Sequence, residues 1–290
     1  MLNRKGKKMP KTKAQWVTLL RRCVALGLAA VGASLVCAAV ALAASGDLTP
    51  EGCVDDNDDG TDVCAQSVDG LSAADSIAVS PDGESVYVAS AFDDAVVRFN
   101  RNTTSGALGG ASCIDDNDTG LDFCAQQADG LNRAAGVTVS ADGKSVYVTS
   151  EEDHAIVHFE RKPSGALVPR GCLVDNDFPT ESCADSPKGL DGASEVHVSS
   201  DGKSVYVASY LDDAIAHFER DTTTGALIPI SCIDDNDFIH THLDCPQSTD
   251  GLGQPSDVVV SPDGESVYAT SGKFSGGDHA IVHFTRETAP

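Results

Sequence analysis

Beyond residue 44 the sequence contains no methionine and no tryptophan: Met1, Met9 and Trp16 all precede that point. Cations are scarce there as well. Twelve Lys/Arg face 44 Asp/Glu in the last 246 residues, a formal charge of −32. A surface that acidic repels phosphate backbones and anionic lipid, so nucleic acid is excluded as a partner, as is membrane docking outside the leader. Few aromatics, with Gly, Ser, Asp and Val abundant, suit many short strands and turns better than packed helices.

The first 44 residues lack acid altogether and hold eight Lys/Arg. Cys23 to Ala44 is an uncharged run of 22 small and apolar residues ending in Ala41-Leu42-Ala43, the small-x-small pattern that signal peptidase reads. Residues 1–44 are therefore expected to be a cleaved export signal, with an uncleaved anchor as the alternative because 22 residues can span a bilayer. The expected destination is extracytoplasmic: periplasm, cell surface or medium.

Eight cysteines follow the leader, in four close pairs: Cys53 and Cys64, Cys113 and Cys124, Cys172 and Cys183, Cys232 and Cys245. The two- to four-residue gaps that zinc sites need are missing, whereas an even count at repeated spacing in an exported chain suits disulfides. Eight cysteines allow 105 connectivities, and the repeated spacing favours the four local pairs. Each loop of that size stabilises the fold by roughly 3 kcal/mol through chain entropy lost in the unfolded state.

The spacing belongs to a longer repeat. VSPDGESVYVAS, VSADGKSVYVTS, VSSDGKSVYVAS and VSPDGESVYATS recur at steps of about 60 residues, with Gly83, Gly143, Gly202 and Gly264 in register. Downstream come DDAVVRFNR, DHAIVHFER, DDAIAHFER and DHAIVHFTR, then SGAL, SGAL and TGAL, then a cysteine, an acidic stretch and a second cysteine. An Asp-Gly turn between alternating runs marks a hairpin. Three clear strands and an outer one leading to the first cysteine make a blade, so residues 45–290 are expected to form an all-β propeller of four four-stranded blades. Ser45 to Cys53 aligns with Ser105 to Cys113, which implies that the N-terminal strand completes the last blade and closes the ring. A monomer follows from that closure. An eight-bladed ring of two chains is the less economical alternative.

At these residues the sequence resembles the YVTN/lactonase-type bacterial β-propeller repeats, over essentially all of residues 45–290. The resemblance implies the propeller. It implies less about activity, because this blade pattern occurs in enzymes and in non-enzymatic surface proteins alike. Enzymatic relatives use particular Arg, His and Glu residues on a larger ring. No local motif here places those residues, so none is carried over.

Two groups of side chains invite chemistry. In the first cysteine loop Asp55, Asn57, Asp59 and Asp62 present oxygens at calcium-loop spacing, and Asp115, Asn117 and Asp122 do so in the second. No loop ends in the glutamate of an EF-hand, and the alternative to calcium is a solvated acidic turn pinned by a disulfide. The second group breaks the repeat on the inner strands. Glu195, His197, Asp257 and Arg133 form the one asymmetric polar cluster the repeat allows: a Glu/His pair can activate water and an arginine can bind an acid, and the alternative is ordinary polar lining of the channel. His158, His217 and His283 instead share one repeat position, which suits strand packing. His154 and His279 share another, and His240 and His242 lie in the fourth cysteine loop. The expected function is an exported, disulfide-stapled binding or structural module with calcium as a candidate cofactor and a small molecule, glycan or protein as ligand. The alternative is a lactonase-like hydrolase acting on a sugar lactone or its phosphate.

Overall fold

An Asp-Gly turn joins the first two strands of each blade. The computed structural model describes residues 48–57, 64–117, 124–178, 182–186, 188–236, 245–274 and 276–287. The leader, Asp59, Asp62, Asp122, His240 and His242 lie outside the described residues. Gly83, Gly143, Gly202 and Gly264 hold φ of 68–75°, which a side chain would strain. The Ser80 hydroxyl accepts a hydrogen bond from the Ser85 N–H at 3.0 Å, and Asp82 accepts one from the Glu84 N–H at 3.0 Å; the other three turns repeat both contacts.

The chain begins with β1 (Val54–Asp56) and β2 (Gln66–Val68), paired parallel. Blade one is β3 (Ala74–Val79), β4 (Ser85–Ser90), β5 (Ala95–Arg101), β6 (Leu108–Asp116) and β7 (Gln126–Ala128). Blade two is β8 (Ala134–Val139), β9 (Ser145–Ser150), β10 (Ala155–Arg161), β11 (Leu167–Asp175) and β12 (Ala184–Ser186). Blade three is β13 (Ala193–Val198), β14 (Ser204–Ser209), β15 (Ala214–Arg220), β16 (Leu227–Asp235) and β17 (Gln247–Thr249). Blade four holds β18 (Pro255–Val260), β19 (Ser266–Ser271) and β20 (Ile281–Thr285).

The four-bladed, all-β propeller is present, and its blades are larger than expected. Blades one to three each carry a fifth, short strand parallel to the fourth. Each disulfide ties the fourth strand to the start of the fifth; in blade one Cys113 lies in β6 and Cys124 stands just before β7. All four local disulfides are formed: Cys53–Cys64, Cys113–Cys124, Cys172–Cys183 and Cys232–Cys245.

Blades stack through the faces of their sheets. Tyr87, Ala89 and Val96 of blade one pack against Val137, Val146 and Phe159 of blade two, and the same pattern steps on to blades three and four. Polar clasps lie beside this packing. Arg161 at the end of β10 donates to Asp82 of the preceding blade at 2.7 Å and to the Tyr87 hydroxyl at 2.9 Å. Tyr87 in turn donates to the Gly165 carbonyl at 2.6 Å. Arg220 binds Asp142 and Tyr147 likewise, and Arg286 binds Asp201.

The closure differs from the expectation. Among the described residues β20 pairs only with β19, and β1 pairs only with β2, so this chain's N-terminal strand does not complete its own blade four. Burial explains the position of β1. Val54, Val68 and Leu71 pack on Val86, Val88, Val97 and Phe99 of blade one, which anchors β1 and β2 at the opposite end of the row from blade four.

Candidate functional site

The inner strands β3, β8, β13 and β18 lie side by side, and their repeat-breaking side chains meet where Gly136 leaves space. A Cβ on Gly136 would stand 2.8 Å from Glu195 Cα, 2.9 Å from the Ser194 carbonyl and 2.6 Å from Thr149 Oγ1. Glycine therefore lets β8 and β13 approach more closely than a side chain would allow.

Glu195 is the focus. Burial pushes its carboxyl up to about 7; Asp257 and Asp75 add to the rise, while hydrogen bonds from the Val196 N–H and the Ser76 hydroxyl oppose it. Burial also lowers the His197 imidazole, against a smaller opposing effect of Asp257. Ser76 Oγ accepts from the Val137 N–H at 3.2 Å, and Ser194 Oγ donates to Ala208 O at 3.0 Å. The site is a half-buried carboxylate cluster: one carboxyl exchanges its proton near neutrality, and a neighbouring imidazole favours its neutral form.

Three of the four sequence candidates are thus together: Glu195, His197 and Asp257. Arg133 is elsewhere. It sits at φ 60° in the turn before β8, and its Nε donates to Glu151 at 2.7 Å. The same glutamate binds Lys273, whose ammonium lies 4.6 Å from the Tyr210 ring. Asp75 joins the cluster although the sequence reading missed it. Its signal is faint: an acid stands where the later repeats have Ala135, Ser194 and Ser256.

The acidic loops are braced from within. Asp55 accepts from the Cys64 N–H at 2.9 Å and the Ser67 hydroxyl at 2.8 Å, and Asp115 accepts from the Cys124 N–H at 3.2 Å. The Asn57 amide donates to Asp69. Asn117 lines a shallow cavity with Gln127 and Asp129. Asp56, Asp116, Asp175 and Asp235, which the calcium pattern passes over, accept from the N–H of Leu71, Leu131, Leu190 and Leu252 at 2.5–3.1 Å. Their recurrence in all four units was the available signal. Among the described residues no three His, Cys, Asp or Glu are grouped to hold a metal ion.

The repeated histidines pack strands as expected. His158, His217 and His283 stack on Tyr147, Tyr206 and Tyr268 with ring centroids 4.8–5.1 Å apart. Burial pushes His158 down to about 4, with Arg220 and Arg170 adding to the effect.

Residues 176–236, which span most of one repeat, match the sequence model of the family described as "Lactonase, 7-bladed beta-propeller". None of the curated proteins matches the sequence. The periplasmic gluconolactonase PpgL of Pseudomonas aeruginosa is similar in structure: 19% identity, TM-score 0.50, 74% of this chain and 50% of that one. Hydrazine synthase of Kuenenia stuttgartiensis is also similar, with 17% identity, TM-score 0.48, and coverage of 78% of this chain and 49% of that one. This chain spans about half the length of either. At 19% identity the likeness to the gluconolactonase concerns the fold.

Proposed function

From the premise of a lactonase-type β-propeller, we propose that the chain is an exported, disulfide-stapled module that binds a neutral or cationic polyhydroxylated small molecule at its inner strands. The carrying observation is the convergence of Asp75, Glu195 and Asp257, with Ser76 and His197, while Arg133 is engaged by Glu151. Carboxylates and hydroxyls that no arginine among the described residues faces suit sugar hydroxyls or an amine and disfavour a phosphate. Four disulfides support an oxidising compartment. Calcium support of the cysteine loops belongs to the same proposal. The test is calorimetric titration with neutral sugars, amino sugars and sugar phosphates. Binding of one of the first two classes, weakened at least tenfold by Glu195→Gln, is expected. Preference for the phosphates, or indifference to Glu195→Gln, would overturn it.

One observation favours a second role. A carboxyl that titrates near 7 beside an imidazole that stays neutral can take a proton from water as it attacks a carbonyl, as opening a lactone requires. The acidic surroundings point to a neutral sugar lactone rather than a phosphorylated one. Hydrolysis whose rate titrates near pH 7 and disappears in Glu195→Gln would establish the enzyme; binding of the lactone without turnover would leave the module.

A further inference from the structure

Equivalent positions of the repeat are buried between blades and bare at the two ends of the row. Val137, Val196 and Val258 on the inner strands are at most 4% exposed, whereas Ile77, their counterpart in blade one, is 67% exposed. Val139, Val198 and Val260 are sheltered, and their counterpart Val79 is bare. At the other end Tyr87 and Tyr147 are fully buried and Tyr268 is 39% exposed; Val96 and Ile156 are buried and Ile281 is 75% exposed. Each end therefore carries one half of the interface that joins successive blades.

The polar clasps are halved in the same way. Arg161, Arg220 and Arg286 each hold their own blade's turn through a carbonyl (Gly143, Gly202, Gly264) and reach back to an aspartate of the preceding blade. Arg101 holds Gly83 O at 3.0 Å in the same posture and, among the described residues, meets no aspartate. At the far end Asp263 is braced by Ser261 and the Glu265 N–H, as the other turn aspartates are braced, and among the described residues it meets no arginine. One end thus presents a free cation and the other its free anion, each in the geometry used three times within the chain.

Among the described residues blade four has no strand beyond β20, the place that a strand like β1 takes in the other blades. Beside β20 a cavity of about 460 Å³ opens between blades three and four, lined by Tyr206, His217, Phe284 and Arg286. In the earlier blades the outer strand and the turn leading into it fill this place, and the Gly165 or Gly225 carbonyl of that turn accepts from the tyrosine. Val54 and Asp55 of β1 align with Ile114 and Asp115, which pair with Val96 and Ala95. By that register Val54 belongs opposite Ile281. In this chain, however, β1 is held on blade one, while β3 packs on β8 and β18 on β13.

We infer that two copies of this chain associate head to tail, blade one of each against blade four of the other, into an eight-bladed ring in which the N-terminal strand of each copy completes blade four of its partner. Arg101 of one copy meets Asp263 of the other, and Ile77 and Val79 pack over Tyr268 and Ile281. The contact is heterologous and repeats the existing blade-to-blade step, and with two copies it closes on itself. This inference is independent of the proposed ligand.

Sedimentation velocity of the full chain, purified from the compartment to which it is exported, tests it. The expected mass is that of two copies at micromolar concentration. Arg101→Asp or Asp263→Arg alone should raise the dimer dissociation constant at least tenfold, and the two together in one chain should restore it. Should Arg101→Asp fail to fold, Ile281→Lys, at an exposed site, should give a monomer with unchanged circular dichroism. A monomer at every concentration, a species larger than two copies, or a dimer indifferent to all these substitutions would overturn the inference.

Discussion

The second strand of blade two reads SVYVTS and that of blade four SVYATS, yet every residue of the first is buried and Tyr268 of the second is 39% exposed. A blade's sequence specifies a two-faced sheet, and the neighbour decides whether each face is covered. Burial of Tyr147 is thus as much a property of blade three as of blade two, through Arg220 and the Gly225 carbonyl. Blade four has the same chemistry on that face, and among the described residues no further blade covers it.

The largest expected effect sharpens that contrast. Asp142→Ala leaves Arg220, 1% exposed in its side chain, without its carboxylate. Stranding a buried charge costs about 3–5 kcal/mol, reduced here to about 2–3 because Asp142 is partly solvated. Urea unfolding should record that loss. Asp263→Ala, at the same repeat position, loses only its turn brace and should lower the midpoint of a chain diluted below self-association by much less, about 1 kcal/mol.

Glu195 comes next. Its carboxyl titrates near 7 in the fold and near 4.5 when unfolded, so the folded chain holds the extra proton between those values. Stability should fall as pH rises from 4.5 to 7 and level off above, by on the order of 3 kcal/mol. Glu195→Gln should flatten that slope in chemical melts taken across the window; an unchanged slope would place the titration elsewhere.

A smaller effect separates two glycines. Gly136→Ala drives a Cβ into Glu195 Cα and the Ser194 carbonyl and should cost about 1–3 kcal/mol by overpacking. Gly109→Ala meets nothing within 4 Å and should be silent in the same thermal melt. The smallest expected effect concerns the cysteine loops. Millimolar calcium should raise the melting temperature by a few degrees more than magnesium or sodium chloride of matched ionic strength, since roughly 2.7 kcal/mol of stabilisation needs a hundredfold excess over Kd. Asp55→Ala should reduce only the calcium-specific part, and equal shifts with all three salts would reduce the loops to braced turns.

Strands, turns and disulfide pairs were legible because each rests on local chemistry: alternation, the Asp-Gly turn, and cysteines about eleven residues apart. The candidate site was partly legible. Glu195, His197 and Asp257 stand out as breaks in a repeat, and a shared register places them on neighbouring inner strands. Arg133 was misplaced because its side chain leaves a left-handed turn toward Glu151, a direction that register does not encode. Asp75 was missed because an acid among small polar residues is a weak break.

By itself the sequence determined the blade: four near-copies, each with its hairpin turn, its arginine and aspartate half-clasps and its cysteine loop, since these depend on contacts within about sixty residues. Tertiary structure alone decided which half-clasps close, how far Glu195 is desolvated, and on which blade β1 rests. Those outcomes depend on which sheet faces meet, and identical repeats present the same face to every candidate neighbour.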